Sequence, residues 1–267
     1  MLIKKGGSPL SNKQALKQYD IKKYRTPDGY TSDICVFTII SEKNEAYKPP
    51  TMDLKIMLIK RAGLDSEGNL NIEANKWAIP GGFVQDDETG FQAAKRELEE
   101  ETNISGIHIK QFGVYDKPGR DPRGWIISNA HYAIVPDTYL SLRKAQDDAA
   151  DIELFSIKDV LKLDLAFDHE QIIGDAIQVI TNDLLQTTVA KNFLPENFTY
   201  SELQAVLRTV TDDPAILSDQ SFSRKIKSLP FIQEVQGKTT TRTSKRATKL
   251  YTFIEMDILK PIYTARY

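Results

Sequence analysis

Between Gly82 and Ile104 three carboxylates stand at helical spacing: Glu97, Glu100 and Glu101 occupy positions i, i+3 and i+4. On a helix these side chains crowd one face. Like charges at i,i+4 repel by a few tenths of a kcal/mol per pair, roughly. Carboxylates in a last turn also face the negative end of the helix dipole. The run Glu97-Leu-Glu-Glu-Glu101 is therefore a poor way to stabilise a helix and a good way to hold a divalent cation. Hard cations such as Mg2+ take oxygen ligands, often one or two carboxylates plus substrate phosphates. The bland alternative for such a run is a solvated acidic face. The preceding Gly81-Gly82 pair and the embedded Arg96 favour the cation.

These residues need a loop and a helix to position them. The segment Trp77-Ala-Ile-Pro-Gly-Gly82 reads as the loop. Asp86 or Asp87 is expected to N-cap the helix, with Glu88 in its first turn at the positive end of the dipole. Phe91, Ala94 and Leu98 form an apolar stripe, and the helix should end near Thr102.

The segment resembles the Nudix box, G-x5-E-x7-R-E-U-x-E-E-x-G-U with U apolar. Gly82, Glu88, Arg96, Glu97, Leu98, Glu100, Glu101 and Ile104 match it. The departure is Asn103 at the last glycine, a position read as a left-handed helix cap that asparagine tolerates. The resemblance implies an α/β fold, an α/β/α sandwich around a mixed sheet. It also implies that Glu97, Glu100 and Glu101, with the Gly81 carbonyl, ligate Mg2+, with Mn2+ as a substitute. Arg96 would orient a box glutamate and Glu88 would brace loop and helix. Gly82 would let the backbone approach substrate.

The whole chain is compatible with such an enzyme. Its 267 residues allow one large domain or two ordinary ones, and 40% hydrophobic with 27% charged residues suits a packed soluble protein. The net charge of −2 identifies no partner. A single cysteine, Cys35, lies in the strand-like run Ile34–Ile40 and reads as core. One cysteine excludes an intrachain disulfide and suits a reducing compartment. The first residues lack a signal-peptide core, and no apolar run approaches membrane-spanning length. The expectation is a cytoplasmic protein with no membrane partner.

Along the chain, residues 11–18 suggest a short helix, and residues 32–40 and 54–60 read as strands. Residues 61–74 read as a loop or hairpin. After the box, residues 107–113 and 126–135 are expected strands. Between them, Arg120-Asp-Pro-Arg-Gly124 reads as a turn fixed by Asp–Arg pairs, or as a substrate loop in which Arg120 or Arg123 holds phosphate or orders a carboxylate-rich site. It resembles a segment of ADP-ribose-directed Nudix proteins, which places Arg120, Asp121 and Arg123 with Gly82 among candidate substrate-binding residues. The same resemblance implies a catalytic carboxylate or extra metal ligand in the following acidic loop, for which Asp147, Asp148, Asp151 and Glu153 are candidates, the alternative being a solvated acidic turn. A long helix is expected from about Leu165 to Val189. His169 on it reads as structural, because no second histidine lies nearby. His108 and His131 sit in strand-like runs and are assigned no role.

Near Lys191 the texture changes, and residues 191–267 read as a second domain after a first spanning 1–190. Thr199-Tyr-Ser-Glu202 is a capping box opening a helix with Leu203, Val206, Leu207 and Val210 on its apolar side. Asp212-Asp-Pro214 breaks it. Ser218 or Asp219 caps a second helix ending at Pro230, with Phe222, Ile226 and Leu229 inward. A strand over 232–235, a turn at Gln236-Gly-Lys238 and a returning strand over 250–254 complete the outline of a winged helix-turn-helix. Arg224, Lys225, Lys227, Lys238, Arg242, Lys245 and Arg246 are candidate DNA-binding residues, and Glu234 is the only acid between Ser221 and Lys249. The alternative is a basic surface without a partner, or a dimerisation module.

A Nudix domain followed by a winged helix resembles the layout of Nudix-related transcriptional regulators of NAD metabolism and of ADP-ribose pyrophosphatase-like hydrolases of the same branch. Two functions follow. One is Mg2+-dependent hydrolysis of a nucleoside diphosphate derivative, with ADP-ribose giving AMP and ribose 5-phosphate. The other is an ADP-ribose-responsive DNA-binding regulator. The intact glutamate set favours hydrolysis. The resemblance also implies a homodimer.

Overall fold

The structure, a computed structural model, describes residues 11–43, 45–64, 67–102, 107–137 and 152–254. A short helix α1 (Asn12–Gln18) leads in, its first turn closed by reciprocal bonds between Ser11 and Gln14. The strands of the main sheet are β1 (Gly29–Lys43), β2 (Thr51–Lys60), β3 (Trp77–Ala78), β4 (Gly81–Phe83), β5 (His108–Tyr115), β6 (Ile126–Ile134) and β7 (Ile152–Ser156). Their order is β3-β2-β1-β6-β5, with β4 also paired to β1 and β7 to β2. The β1–β6 pairing is parallel and the others are antiparallel, so the sheet is mixed.

Strand β1 is central and fully buried from Ile34 to Phe37, as a strand covered on both faces must be. Alternation sends Ile34 and Val36 to one face, with Ala133, Val135 and the box-helix residues Ala94 and Leu98. Cys35, Phe37 and Ile39 go to the other, against Ile172, Ile173, Ala176 and Ile180 of the helix α3 (His169–Gln186). The expected sandwich is present, and Cys35 is a buried, free core cysteine.

The helix α4 (Tyr200–Arg208) is capped by Thr199 and Glu202 as the sequence reads, an arrangement worth about 1 kcal/mol. Its buried Leu203, Val206 and Leu207 join the same cluster as the α3 face of the sheet, and α4 touches β2. The two halves of the chain thus share one continuous hydrophobic core. Pro214–Leu217 forms an additional short helix, α5, capped by Asp213, where the sequence suggests only a break. Helix α6 (Asp219–Lys225) starts at Ser218 and runs into a 3-10 turn over Ile226–Ser228.

The hairpin differs from expectation. Strand β8 (Ile232–Thr240) continues through Gln236–Lys238, and the turn to β9 (Thr248–Phe253) comes after it. The register shifts between Glu234 and Thr239, with Gly237 at φ 71, so the glycine marks a bulge rather than the end of a strand. No helix among the described residues is long and apolar enough to cross a membrane.

Candidate active site

The box helix α2 spans Gly90–Thr102. It begins later than the acidic run suggests. Thr89, not Asp86 or Asp87, is the N-cap: its Oγ1 accepts from the Gln92 amide at 3.2 Å while Gln92 Oε1 accepts from the Thr89 amide at 2.8 Å. Glu88 therefore lies before the helix, where its Oε1 accepts from the Gln85 amide at 3.0 Å. Of the expected apolar stripe, Ala94 and Leu98 are buried, whereas Phe91 is 44% exposed and rests its ring edge near His131.

Displacing Glu88 from the helix lets it face back along it. Arg96 donates from Nε and Nη2 to the two Glu88 oxygens at 3.2 and 2.7 Å, and from Nη1 to Glu97 Oε1 at 2.7 Å and Glu100 Oε2 at 3.2 Å. Nη2 also donates to the Phe83 carbonyl at 3.2 Å. One planar guanidinium thus fixes three box carboxylates and the strand leading into them. Arg96 holds the Glu88 carboxyl below its usual range, and Glu88 and Glu97 push the guanidinium further up. The side chain of Glu101 lies outside the described residues, as do Asp147, Asp148 and Asp151. Glu153 is an exposed residue of β7 opposite Leu58.

The glycine pair fits closely between these parts. A Cβ on Gly82 would fall 2.1 Å from Glu97 Oε1, and one on Gly81 would meet Asp33 Oδ1 at 2.5 Å and the Ser32 carbonyl at 2.6 Å. The Trp77–Gly82 segment, expected as a loop, is formed by the short strands β3 and β4 joined through Ile79-Pro80, and it is also tied down from below. The Ile34 amide donates to the Pro80 carbonyl, and the Ile79 amide donates to His169 Nδ1 at 3.1 Å. Trp77 bonds to Asp164 and Ala166, which brings residues 164–169 alongside the loop. His169 is thereby structural, as its sequence context suggests. Burial together with Arg120 and Arg61 lowers its pKa to about 3, so it is neutral.

The Arg120–Gly124 loop divides its labour. Arg120 is buried and donates to both Asp168 oxygens at 2.7 and 2.6 Å, with Asp33 at 3.8 Å. Asp121 is buried and accepts from Arg123 Nε, Nη2 and amide nitrogen. Arg120 is thus committed to carboxylates. The Arg123 guanidinium remains at the surface, over the rings of Phe83 and Phe167. Asp33 accepts a short bond from Ser128, and burial raises its pKa to about 6. Asp33, Arg61 and Phe167 border this centre, and Asp168 reaches it through Arg120.

Carboxylate oxygens on Glu97 and Glu100, converging beside a glycine cradle, are the hard donor set a divalent cation requires. As placed, both accept from Arg96, and no group of three His, Cys, Asp or Glu among the described residues is close enough to hold a metal.

Residues 32–175 match the NUDIX domain model. The chain belongs to the Nudix family. Residues 190–253 match the NrtR DNA-binding winged helix domain. This Nudix chain is 38% identical over 164 residues to the ADP-ribose pyrophosphatase of Methanocaldococcus jannaschii, covering 61% of this chain and 83% of the relative. It is 27% identical over 250 residues to the ADPR responsive transcriptional repressor NtrR of Acinetobacter baylyi, covering 92% and 90%. The structure of Shewanella oneidensis NrtR complexed with a 27mer DNA superposes with a TM-score of 0.66 at 27% identity, covering 84% of this chain and 93% of that one. The winged-helix reading holds for the fold.

In that winged helix, Arg224 and Lys227 are exposed on and after α6, and Lys238, Lys245 and Arg246 are exposed along the hairpin. Lys225 is half-buried. Arg242 is differently employed. It donates to both Glu202 oxygens at 2.6 Å and to the Asn197 carbonyl at 2.7 Å, fastening the wing to the start of α4.

Proposed function

We propose that this chain is a Nudix pyrophosphohydrolase that cleaves ADP-ribose to AMP and ribose 5-phosphate. The observation that carries the reading is Arg96 joining Glu88, Glu97 and Glu100 beside Gly82. Water adds to one phosphorus, the bridging P–O bond breaks, and the bridging oxygen leaves with the other phosphate. Glu97 and Glu100, with Glu101 and the Gly81 carbonyl, are the groups that would hold Mg2+ or Mn2+. Such a cation would neutralise the diphosphate and lower the pKa of a bound water. Arg96 keeps Glu97 and Glu100 in register, and Glu88 anchors Arg96. Gly82 leaves space for Glu97 and for close approach of substrate. The similarity to an ADP-ribose pyrophosphatase supports the choice of substrate.

The test is product identification. Purified protein, a divalent cation and a panel of nucleoside diphosphate derivatives should yield AMP and ribose 5-phosphate fastest from ADP-ribose. Faster cleavage of another member of the panel would replace the substrate assignment.

A second reading rests on a separate observation, the winged-helix match and its exposed basic residues. In it the Nudix half binds ADP-ribose and the occupied state changes DNA affinity, which requires different ligand affinities in the two states. Arg224, Lys225, Lys227, Lys238, Lys245 and Arg246 would contact phosphates. Salt-sensitive binding to DNA that shifts on adding ADP-ribose would support it, and absence of DNA binding at low salt would end it. The family resemblance also implies a cytoplasmic homodimer, which light scattering checks for assembly.

A further inference from the structure

Ser32 stands where the two ends of the segment before the box helix meet. Its backbone in β1 pairs with Gly82 of β4, and its side chain reaches the start of α2, where Oγ donates to the Gly90 carbonyl at 2.8 Å. One residue of the central strand is thereby registered on both Gly82 and Gly90, and Glu88 lies in the segment it closes. We propose that Ser32 and His131 are positioning residues for the box carboxylates, a buried clamp that sets the spacing between the glycine cradle and the box helix. The proposal rests on the hydrolase reading for the reaction it serves, and not for the clamp itself.

The clamp has a direction. Ser32 and His131 are both fully buried, and His131 Nδ1 lies 3.2 Å from Ser32 Oγ. A hydroxyl has one proton, and the nearer carbonyl, that of Gly90, takes it; the Asn129 carbonyl is at 3.4 Å. The lone pairs of Oγ are then left for a donor. Burial holds the His131 pKa below its usual range, so the ring is neutral and the network assigns its single N–H to Nδ1.

The start of the helix is held closely around this bond. A Cβ on Gly90 would collide with the Tyr30 hydroxyl and fall 2.9 Å from Asn129 Nδ2. Phe91, next in the helix, sets its ring edge-on to His131 with centroids 6.0 Å apart. At the other end of the segment, Gly82 leaves room for the Glu97 carboxylate and for nothing more. A shift of the helix start relative to Gly82 therefore changes the space around Glu97 and, through Arg96, the placement of Glu88 and Glu100.

The choice of histidine goes beyond packing. With its proton on Nδ1, His131 presents Nε2 as an acceptor, and that atom is buried with no partner among the described residues. A buried acceptor without a donor destabilises the fold, whereas an apolar side chain of similar size would not. A local rule broken in this way is expected where function, rather than stability, holds the residue.

Hydrogen exchange on the metal-free protein reads the clamp without catalysis. In Ser32→Ala, which removes one oxygen, the amides of Gln92 and Ala93, bonded in the first turn of α2, should exchange roughly tenfold faster, while those of β6 stay unchanged. Mn2+ affinity, followed by electron paramagnetic resonance, should fall roughly tenfold, as when a group supporting metal ligands is removed. kcat for ADP-ribose should fall with it, and KM should stay within about twofold. His131→Leu should lower turnover to a similar degree with a melting temperature at or above that of the wild type. His131→Asn, whose amide nitrogen replaces Nδ1 as donor, should recover most of the loss. Unchanged exchange or unchanged Mn2+ affinity in Ser32→Ala, or a melting temperature that drops in His131→Leu in step with activity, overturns the clamp. A wild type that releases no AMP from ADP-ribose removes the hydrolase, and exchange with Mn2+ affinity then decides the clamp.

Discussion

Arg96 reaches Glu88 across eight residues of sequence through Nε and Nη2, at 3.2 and 2.7 Å. The pairing is made because Thr89 takes the N-cap and leaves Glu88 outside the helix. Glu88 therefore acts on the site through Arg96. Glu88→Gln should lower kcat for ADP-ribose on the order of 10- to 100-fold, as loss of a group that orients ligands does, while KM changes little. Steady-state kinetics at saturating cation checks this. A change confined to KM would place Glu88 on the substrate instead.

The glycine pair makes contrasting predictions. In Gly82→Ala the new methyl would meet the end of the Glu97 side chain, which can swing aside. Stability should be nearly retained and turnover lost. In Gly81→Ala the methyl would meet the Ser32 carbonyl, which belongs to the central strand. That variant should unfold at lower temperature, by roughly 1–3 kcal/mol of stability. Thermal melts and turnover on the same samples distinguish the two.

Two buried groups oppose each other in acid. His169 has a folded pKa of about 3 against an ordinary value of 6.5, so its contribution is complete above pH 6.5 and is lost as pH falls toward 3. Asp33 has a folded pKa of about 6 against 3.8, so its contribution is complete below pH 3.8 and is lost as pH rises through 6. Between pH 4 and 6 the two partly cancel. Asp33→Asn removes the compensation, and urea unfolding should then show a steeper loss of stability from pH 7 to 4.5 than in the wild type. The added loss is on the order of 2 kcal/mol. An unchanged slope would contradict the assignment.

The wing separates structural from contacting cations. Lys245 and Arg246 are exposed, whereas Arg242 is bound to Glu202. If the second reading holds, Lys245→Ala should reduce the slope of log affinity against log salt by about 1 and leave the fold intact. Arg242→Ala should instead cost stability, about 1 kcal/mol or less for a pair this exposed. Binding isotherms at several salt concentrations and a thermal melt test both.

The box was legible because metal-binding chemistry forces residue types and helical spacing together. Strands β1, β2 and β6 were legible because burial on both faces enforces apolar runs. The helix start was misplaced because Asp86, Asp87 and Thr89 are all competent caps, and only the Thr89–Gln92 pair decides among them. The wing turn was misplaced because Gly237 signals a bulge as well as a turn. Asp33 and Arg61 were invisible as site residues. Each lies on or beside an ordinary element, and only the folded path of residues 164–169 against the Trp77–Gly82 loop brings them together.

The central claim is that the box carboxylates perform hydrolysis, and Glu100 tests it most directly because its side chain is 58% exposed and its loss should not disturb the fold. The measurement is AMP release from ADP-ribose with Mg2+, wild type beside Glu100→Gln. Release should depend on the cation and fall at least a hundredfold in the variant, with the same melting temperature. Equal turnover in the two proteins, or tight ADP-ribose binding by the wild type with no AMP formed, would contradict it.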